Sequence, residues 1–580
     1  MAYRYIALID AAYRAERPLT GDAEHGLRAM DMHQCMQTAA FTLYVSGDTP
    51  TIRLSGSGVI IGHLFSRSGA PITNEAEIPH HSDGARLRRL ILENCWGAYL
   101  IIQPGPDNSH DLEITRDPEG GMPCFHHVDA DAGFLASDLE LPTRMGLYRK
   151  RIDWESILHR LIYPDIKTSR TGLDRFEELL PGIRLTLRGS SASTHTEWSP
   201  WDFVGRGRRH DNSDVAAAAV RSATDTVVGA WAMTDRSALL ELSGGLDSSI
   251  VGASLKGSAA HVVCCTMVTP VPGADERQYA CQIADLLGAT LDVQTLRFEY
   301  GLHDFDQHPQ PASPRVGMLQ HATDTIMELA RRRHGAASFF SGGGGDTVFC
   351  YLTTAAPAAD AFRVLGFQQG FRAIRNLAEL HQCTLWRAGR LTVSKLVRPP
   401  ESPYRAIHEL INPANIECAP EKHPWLDAPD AALPGDRERI FALATTQVYR
   451  DSAPRGLRRH LRLPLLSQPV MEASLRTPSW MWISDSHNRA VARKAFADVL
   501  PTDVITRRSK GSFAGYVGAL YARNRERIRD YLLDGHLQAH GILDARALRQ
   551  STDRDLAPRD CSYERVLELC MVENWVRHQI

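Results

Sequence analysis

Hydrophobic and polar positions divide the chain into two regions with different periodicity. Residues 1 to about 205 contain short apolar segments of strand length, such as Thr51–Leu54 and Gly58–Leu64, separated by Gly, Pro, Asn and Asp. From Ser213 onwards, segments with helical spacing alternate with short apolar runs. The pattern therefore predicts a strand-rich region and then a mixed helix and strand region, joined by a polar, basic linker at Arg206–Ser213.

The second region begins with a regular alternation of helix and strand. This order is typical of a parallel sheet with helices on its faces. Residues 355 to 580 are predicted to be mainly helical and to end in a packed helix over about 563–578. The earlier predicted elements are a helix over Asp214–Met233 capped by Ser213, a strand over Ser237–Leu242, a helix from about Ser248, a strand over His261–Val268 and a helix over Glu276–Leu287.

Composition is that of an ordinary soluble globular protein. Hydrophobic residues make up 43% and charged residues 23% of the 580 residues, which is enough chain for more than one domain. The formal net charge of -3 gives no overall electrostatic footprint for nucleic acid or an anionic membrane. No apolar run approaches the ~18 residues of a membrane-spanning helix, and the start lacks the features of a signal peptide. A cytoplasmic location is therefore expected.

Cysteine and histidine offer no metal-binding pattern. The eleven cysteines include no CxxC pair, and the adjacent Cys264 and Cys265 lie in an apolar run, where core thiols are expected. An odd, scattered set is typical of reduced thiols in a cytosol. The pairs His80-His81 and His126-His127 have no Cys or His nearby at metal spacing, so surface or packed histidines are expected.

The most specific motif is a candidate phosphate loop between a strand and a helix. Glycines let the backbone approach an anion closely, and the N–H groups at a helix start attract phosphate. No lysine follows, so this is not the GxxxxGK[ST] loop of γ-phosphate transfer. Mg²⁺ bridging a pyrophosphate would account for the Asp inside the loop. A plain Gly-Ser turn that caps a helix is the alternative. The loop reads Ser243, Gly244, Gly245, Leu246, Asp247, Ser248 and Ser249.

A second Gly-rich turn follows a later apolar segment. Ser341, Gly342 and Gly343 begin a loop of four glycines that ends at Asp346. Four glycines would weaken a regular element by roughly 0.5–1 kcal/mol each, which favours close approach to a ligand over a plain surface loop. Asp346 is therefore the candidate second Mg²⁺ carboxylate, together with Asp247.

Two further regions are weaker candidates when taken alone. If the phosphate loop binds an adenine nucleotide, its adenine is expected against the backbone near Thr266 and Met267, at the C-terminal edge of a parallel strand. The segment Arg507–Phe513 has three cations within four residues, and Lys510 is one of them. Such a segment is usually a solvated face.

Together, these motifs resemble the asparagine synthetase superfamily. Matching features of the synthetase part, over most of residues 213–515, are SGGLDSS at Ser243–Ser249, Asp275-Glu276, Ser341–Asp346, Arg462–Leu466, Arg493 and Lys510 after Leu500-Pro501. Landmarks similar to the family's glutaminase-like domain are Trp96–Tyr99, Arg116–Gly120 with Pro123, Phe134–Asp138 and Pro181-Gly182.

The resemblance implies an α/β protein with two domains. Residues 1–205 would form a degenerate glutamine-amidotransferase-like domain of the Ntn-type αββα architecture. Residues 206–580 would form an ATP-pyrophosphatase-like synthetase domain with a parallel sheet and a helical extension.

Departures from the family pattern select among its members. A working glutaminase of this family carries Cys directly after the initiator Met, but residue 2 is Ala2, and the family's Asn-Gly-Glu loop is missing. Asparagine synthetases have Glu and β-lactam synthetases Tyr at the loop position of Gly343, and Thr347 replaces a family Glu. The loop is most similar to that of lasso peptide cyclases. The alternatives are a β-lactam-synthetase-like or other small-molecule amide ligase, an ammonia-dependent asparagine synthetase and a non-catalytic scaffold.

The resemblance to lasso peptide cyclases implies a reaction and its partners. ATP and Mg²⁺ would serve to adenylate an Asp or Glu side chain of a leaderless ribosomal core peptide, whose N-terminal amine then forms an isopeptide bond. AMP and pyrophosphate would be released. Lys510 would stabilise charge in the transition states. The attacking amine must lose a proton, but Gly343 has no side chain that could accept it, so the general base stays unassigned. A leader-binding protein and a leader peptidase are implied partners, and neither nucleic acid nor a membrane span is expected.

Overall fold

The computed structural model describes most of the chain, with gaps. The described residues are 3–9, 26–78, 83–105, 111–128, 133–188, 191–273, 275–299, 311–314, 320–450, 454–508, 511–556 and 560–580. Ala2, His80, His81 and Lys510 lie outside these ranges, so the expectations for them stay predictions. No helix in the described ranges is long and apolar enough to cross a membrane.

The N-terminal region is built from strands, as its pattern predicts. They are β1 (Tyr5–Ile9), β2 (Met32–Gln37), β3 (Phe41–Ser46), β4 (Thr51–Leu54), β5 (Gly58–Gly62), β6 (Leu64–Ser66), β7 (Pro71–Ile72), β8 (Cys95–Trp96), β9 (Tyr99–Pro104), β10 (Leu112–Arg116), β11 (Phe125–Val128), β12 (Gly133–Ala136), β13 (Glu177–Glu178), β14 (Ile183–Arg188) and β15 (Ser191–Thr196). They form six-stranded antiparallel sheets of order β13-β11-β12-β1-β3-β2 and β15-β14-β10-β9-β5-β4, and a small sheet β7-β6-β8.

The helices of the described residues fall mostly in the second region. They are α1 (Gly84–Asn94), α2 (Glu140–Arg144), α3 (Trp154–Ile162), α4 (Trp201–Val204), α5 (Ser213–Asp235), α6 (Leu246–Leu255), α7 (Arg277–Leu287), α8 (Gln320–His334), α9 (Gly345–Val348), α10 (Ala356–Leu365), α11 (Phe367–Leu380), α12 (Leu385–Val397), α13 (Pro434–Arg450), α14 (Pro454–Arg458), α15 (Gln468–Leu475), α16 (Ala490–Ala495), α17 (Thr502–Ile505), α18 (Ala514–Leu533), α19 (His536–Ala539), α20 (Ala545–Asp553) and α21 (Tyr563–Arg577).

Side-chain alternation along β1 explains the layers of the N-terminal region. Tyr5 and Ala7 enter the core between the two large sheets, whereas Ile6 and Leu8 point to the opposite face. Helix α3 covers that opposite face, and α1 covers the outer face of the second sheet. The result is a helix, sheet, sheet, helix sandwich, which confirms the predicted αββα architecture.

The second region contains a five-stranded parallel sheet. Its strands are β16 (Ser237–Glu241), β17 (His261–Val268), β18 (Thr290–Thr295), β19 (Ser338–Ser341) and β20 (His460–Arg462), in the order β18-β17-β16-β19-β20. From β16 the chain adds β17 and β18 on one side of the sheet and later β19 and β20 on the other. The loops after the neighbouring strands β16 and β19 therefore leave the same edge side by side. Open parallel sheets bind ligands at such a reversal of strand order. A short hairpin, β21 (Ile483–Ser484) and β22 (His487–Asn488), precedes α16.

The start of α5 differs from the prediction. The cap is Asn212 rather than Ser213, because the extended Asn212 places its side-chain oxygen where it accepts hydrogen bonds from the N–H groups of Asp214 and Val215. Ser213 is already the first helical residue.

The C-terminal helix joins the two regions, so they share a hydrophobic core. Val566, Cys570 and Val576 of α21 are fully buried, as their helical spacing predicts. They pack in one cluster with Ile6 of β1 and with residues of α18. Cys264 and Cys265 are also buried, as core thiols should be.

Candidate functional site

The candidate phosphate loop turns sharply between β16 and α6. Gly244 has φ +70°, and a Cβ there would lie 2.7 Å from the Tyr279 Cβ and 3.0 Å from the Glu276 carbonyl oxygen. Only glycine fits both the conformation and the space. The turn therefore packs directly on the start of α7, which begins after Glu276.

The start of α6 leaves backbone donors available for an anion. Gly245 caps the helix without a side-chain hydrogen bond, and α6 begins at Leu246, two residues earlier than predicted. Asp247, Ser248 and Ser249 consequently lie in its first turn. The Leu246 side chain is buried in the core, so this residue offers only its backbone to a ligand.

Hydroxyl groups line the same turn. The Ser243 and Ser248 Oγ atoms lie 3.1 Å apart, and the Ser243 N–H donates to the Ser248 Oγ at 3.2 Å. The Ser249 Oγ is buried and has no hydrogen-bond partner in the described part of the chain. Hydroxyl and N–H donors at a helix start form the arrangement that binds phosphate groups.

The second glycine loop packs against the first. A Cβ on Gly342 would lie 2.5 Å from the Ser248 nitrogen, and one on Gly345 would lie 2.6 Å from the Asp247 Cβ. Gly344 has φ +85°, and its Cβ would lie 2.4 Å from the Leu466 Cγ. The glycines thus allow the loops after two neighbouring strands to touch. The Gly343 N–H donates to the Ser341 Oγ at 3.2 Å.

The two predicted carboxylates share one cation. The Arg489 Nη1 lies 3.0 and 2.9 Å from the two Asp247 carboxylate oxygens and 2.6 Å from the Asp346 Oδ1. Asp247 and Arg489 are buried, whereas the Asp346 side chain is 46% exposed. Arg489 has φ 52°, and its guanidinium lies 5.5 Å from the Tyr351 ring centroid. The sequence motifs give no sign of Arg489, which is one of many arginines and lies 143 positions from Asp346.

The convergence of Asp247 and Asp346 fits a divalent cation. Both carboxylates already face one point of positive charge, at Arg489 Nη1. The described residues contain no cluster of three or more His, Cys, Asp or Glu side chains that could enclose a metal. Mg²⁺ is commonly held by one or two carboxylates together with substrate phosphates and water, so two suffice.

The residues around Lys510 are anchored beside the phosphate loop. Glu276 accepts hydrogen bonds from the Arg507 guanidinium and from the Gly511 N–H, the latter at 2.5 Å. Arg507 also donates to the Gly244 carbonyl at 3.2 Å. Glu276, one residue of the acidic pair Asp275-Glu276, thus holds the chain on both sides of Lys510. The sequence alone does not define this role. The catalytic role of Lys510 stays a prediction.

Arg493 organises the same region through backbone carbonyls. Its guanidinium donates to the carbonyls of Asn488, Ile505 and Arg507. Burial, and then the charge of Arg489, lower the pKa of Arg493 to about 10. Arg493 thereby links Asn488, which precedes Arg489, to Ile505 and Arg507, which precede Lys510.

Other predicted residues lie on β17 and β20, the strands next to β16 and β19. Thr266 is buried and Met267 partly exposed near the end of β17, and the Leu242 N–H donates to the Cys265 carbonyl at 2.8 Å. This bond links β17 to the start of the phosphate loop, and the adenine position stays a prediction. Arg462 instead supports the sheet, because it pairs with Asp235 at 2.7 and 2.8 Å.

Comparison with protein families identifies this arrangement. The asparagine synthase family model matches residues 219–577, which is more than half of the chain and includes both glycine loops. The chain belongs to the asparagine synthase family. ATP-dependent amide bond formation is therefore its general chemistry.

Comparisons with individual proteins add little to this family assignment. A search of curated proteins gave no match. A solved structure of the allosteric regulatory enzyme of purine biosynthesis aligns at 10% identity over 58% of this chain and 89% of that chain, with a TM-score of 0.23. The glutamine phosphoribosylpyrophosphate amidotransferase from B. subtilis aligns at 11% identity over 50% of this chain and 65% of that chain, with a TM-score of 0.20.

Proposed function

We propose that this asparagine synthase family member is a lasso peptide cyclase. It adenylates an Asp or Glu side chain of a leaderless core peptide and then joins that carbonyl to the peptide N-terminal amine. The products are the macrolactam, AMP and pyrophosphate. A leader-binding protein and a leader peptidase of the same pathway supply the substrate.

One observation supports the adenylation step above all. The two glycine loops bring Asp247 and Asp346 to the same cation, Arg489, beside the start of α6, which no side chain caps. Backbone N–H groups of α6 and the hydroxyls of Ser243 and Ser248 can hold a departing pyrophosphate. The loop carries no lysine of the kind that serves γ-phosphate transfer. These features favour attack at the α-phosphorus.

The carboxylates and Arg489 have separate tasks in this proposal. Asp247 and Asp346 would hold Mg²⁺, which supplies charge that neutralises the pyrophosphate. Arg489 would then be released from the carboxylates and could donate to a phosphate oxygen, since a guanidinium matches phosphate geometry. Lys510 would stabilise the oxyanion of the tetrahedral intermediate.

Several features favour a peptide substrate over a small amino acid. A cavity of about 540 Å³ begins at Tyr351, next to Arg489, and extends between α12, α13 and the segment 399–405. Its volume is in the range of sites for sizeable ligands. Gly343 presents no side chain to a bound substrate, and Ala2 offers no thiol for releasing ammonia from glutamine.

The reaction products test the proposal. Purified protein is incubated with candidate core peptides, ATP and Mg²⁺, and the nucleotide products and peptide mass are recorded. We expect AMP, pyrophosphate and a peptide lighter by one water. ADP and phosphate would contradict the adenylation chemistry itself.

The alternatives give different results in the same assay. Asparagine formed from aspartate and ammonia would identify an ammonia-dependent asparagine synthetase. Adenylation of a small carboxylate with no peptide cyclised would favour a small-molecule amide ligase, including one similar to β-lactam synthetase. Failure to bind ATP in a calorimetric titration would indicate a scaffold.

A further inference from the structure

Exposed apolar side chains are concentrated on three consecutive helices, α10 to α12. Of the seventeen large apolar side chains that are exposed in the described residues, eight lie between 365 and 397. Trp386 is 82% exposed, Phe367 79% and Val397 74%. The other five are Leu365, Phe371, Leu385, Leu391 and Val393. Such a concentration marks an interaction surface, whereas scattered exposed residues need no explanation. We call these eight residues, together with the Lys and Arg side chains of residues 363–398, the α11–α12 surface.

The α11–α12 surface is also strongly basic. Residues 363–398 contain seven Lys or Arg side chains and a single carboxylate, that of Glu379. Of these cations, Lys395 pairs with Glu438 at 2.9 Å and Arg375 lies 3.5 Å from Glu379. The remaining cations are Arg363, Arg372, Arg387, Arg390 and Arg398, and none of them makes an ion pair within the part of the chain that the structure describes. The net charge of -3 for the whole chain conceals this local excess.

Helix amphipathicity explains why these side chains face outwards. Ile374, Leu377 and Ala378 of α11 are buried and pack with Ala388 of α12 in one cluster, which attaches both helices to the body of the protein. Because one face of each helix is used in this way, the exposed apolar residues lie on faces that no described part of the chain covers.

We propose that the α11–α12 surface binds the face of an anionic lipid membrane. Basic residues interleaved with Trp, Phe and aliphatic side chains are the features of helices that lie at a lipid interface. A second copy of the same face is a poor occupant, since two surfaces rich in cations repel each other. The three most exposed apolar side chains lie on helices and are not part of the lining of the 540 Å³ cavity, so they suit a fluid layer that needs no complementary shape.

Vesicle flotation tests the proposal without ATP or any peptide. The full chain is mixed with vesicles of phosphatidylcholine alone or of phosphatidylcholine with phosphatidylglycerol. We expect flotation with the mixed vesicles only, decreasing as salt is raised. Absence of flotation with the mixed vesicles, or equal flotation with both kinds, would overturn the proposal. Because the assay involves no chemistry, its failure and that of the cyclase function are distinguishable.

Paired substitutions assign the binding to this surface. Arg387→Gln with Arg390→Gln, and separately Phe367→Ser with Trp386→Ser, should each weaken partitioning by about tenfold or more. Arg546→Gln with Arg549→Gln is the charge control, since these exposed arginines have the same spacing on α20. Met233→Ser with Leu329→Ser is the apolar control, since both residues are about half exposed elsewhere.

Folding and competing partners are checked on the same variants. Unchanged thermal midpoints show that a variant is folded, and each control pair should float like the wild type. Losses as large in the controls as in the test variants would contradict the proposal. Dimerisation that the Phe367→Ser and Trp386→Ser pair abolishes, with flotation unaffected, would instead identify a protein interface and refute membrane binding.

Discussion

Arg489 lies where the two glycine loops meet. Its Nη1 contacts Asp247 and Asp346, its backbone has φ 52°, and its Nε is buried without a hydrogen-bond partner in the described residues. Removing the cationic partner of a buried carboxylate is destabilising. Arg489 and a divalent cation are therefore alternative ways of neutralising the same pair of carboxylates.

This exchange predicts the behaviour of Arg489→Ala. Without divalent cations, the variant should be less stable by about 1–3 kcal/mol, because it lacks the guanidinium that pairs with both carboxylates. Added Mg²⁺ should restore more of its thermal midpoint than it adds to the wild type. Thermal unfolding with and without Mg²⁺ measures both effects.

Two further variants check this interpretation. Asp247→Asn should bind Mg²⁺ more weakly than the wild type and should lose turnover. Arg508→Ala, which removes an exposed cation from the same region, should respond to Mg²⁺ like the wild type. If Mg²⁺ stabilised Arg489→Ala and the wild type equally, the carboxylates would not be its site.

Lys510 is the residue whose role depends most on the family resemblance. If it stabilises the transition states, Lys510→Ala should lower the rate by ~10²–10³ while ATP affinity changes little. Lys510→Arg should also be slow, since a planar fork does not replace a compact charge. Single-turnover kinetics and nucleotide titration separate the two effects.

Arg508→Ala is the matched control for Lys510, because Arg508 is exposed and makes no hydrogen bond in the described residues. Its turnover should stay close to that of the wild type. Equal losses at both positions, shrinking as salt is raised, would indicate a general basic patch. Arg507 is unsuitable as a control because it is anchored to Glu276.

At the scale of elements, two charged side chains hold the backbone next to the phosphate loop. Arg493 holds the carbonyls of Asn488, Ile505 and Arg507, and Glu276 holds Arg507 and the Gly511 N–H. Arg507 and Gly511 lie outside helices and strands, so no regular backbone hydrogen bonds hold them. Their placement beside the phosphate loop therefore depends on these contacts.

Glu276→Gln tests this anchoring. The variant keeps the size of the side chain but loses the charge-assisted hydrogen bond to Arg507, so the segment 505–511 should become looser. We expect a rate reduced by about tenfold to a hundredfold and faster proteolysis within that segment. Limited proteolysis gives the structural result independently of activity. Unchanged cleavage and rate would remove Glu276 from the anchoring role.

At the scale of the whole molecule, a buried carboxyl links stability to pH. Asp360 of α10 accepts hydrogen bonds from the Gly435 N–H and the Ser479 hydroxyl. Burial and the nearby charge of Asp436 raise the pKa of Asp360 to about 7. Because this pKa is higher in the folded than in the unfolded chain, the folded protein binds more protons between pH about 4 and 7. Stability should therefore fall as pH rises through that range.

Asp360→Asn removes this titration. The variant should show a smaller loss of stability between pH 5 and 8, by on the order of 2–4 kcal/mol. Denaturant unfolding at the two pH values measures the difference. Asp498→Asn, at a side chain that is 74% exposed, is the control and should follow the wild type. An equal pH dependence in the wild type and Asp360→Asn would show that other groups dominate.

The sequence predicted the features of this molecule that depend on local pattern. The strand-rich and parallel-sheet regions follow from periodicity, and both glycine loops follow from residues whose conformations few other amino acids adopt. Gly244 and Gly344, for example, have positive φ and no room for a Cβ. Asp247 and Asp346 are paired by the sequence as Mg²⁺ candidates because each belongs to a Gly-rich turn and supplies the hard oxygen ligands that Mg²⁺ prefers. The structure brings them together because β16 and β19 are neighbouring parallel strands.

Tertiary structure alone decided which contacts the distant residues of the site make. Arg489, Glu276 and Arg493 act through contacts across long stretches of chain, and an isolated Arg or Glu carries no local signal of its partner. The excess of exposed apolar and basic side chains on α11 and α12 was likewise hidden, since periodicity shows that a helix is amphipathic but not which faces stay uncovered. Local conformational preferences are encoded residue by residue, whereas the partners of buried charges and the exposed faces arise only when the chain is packed.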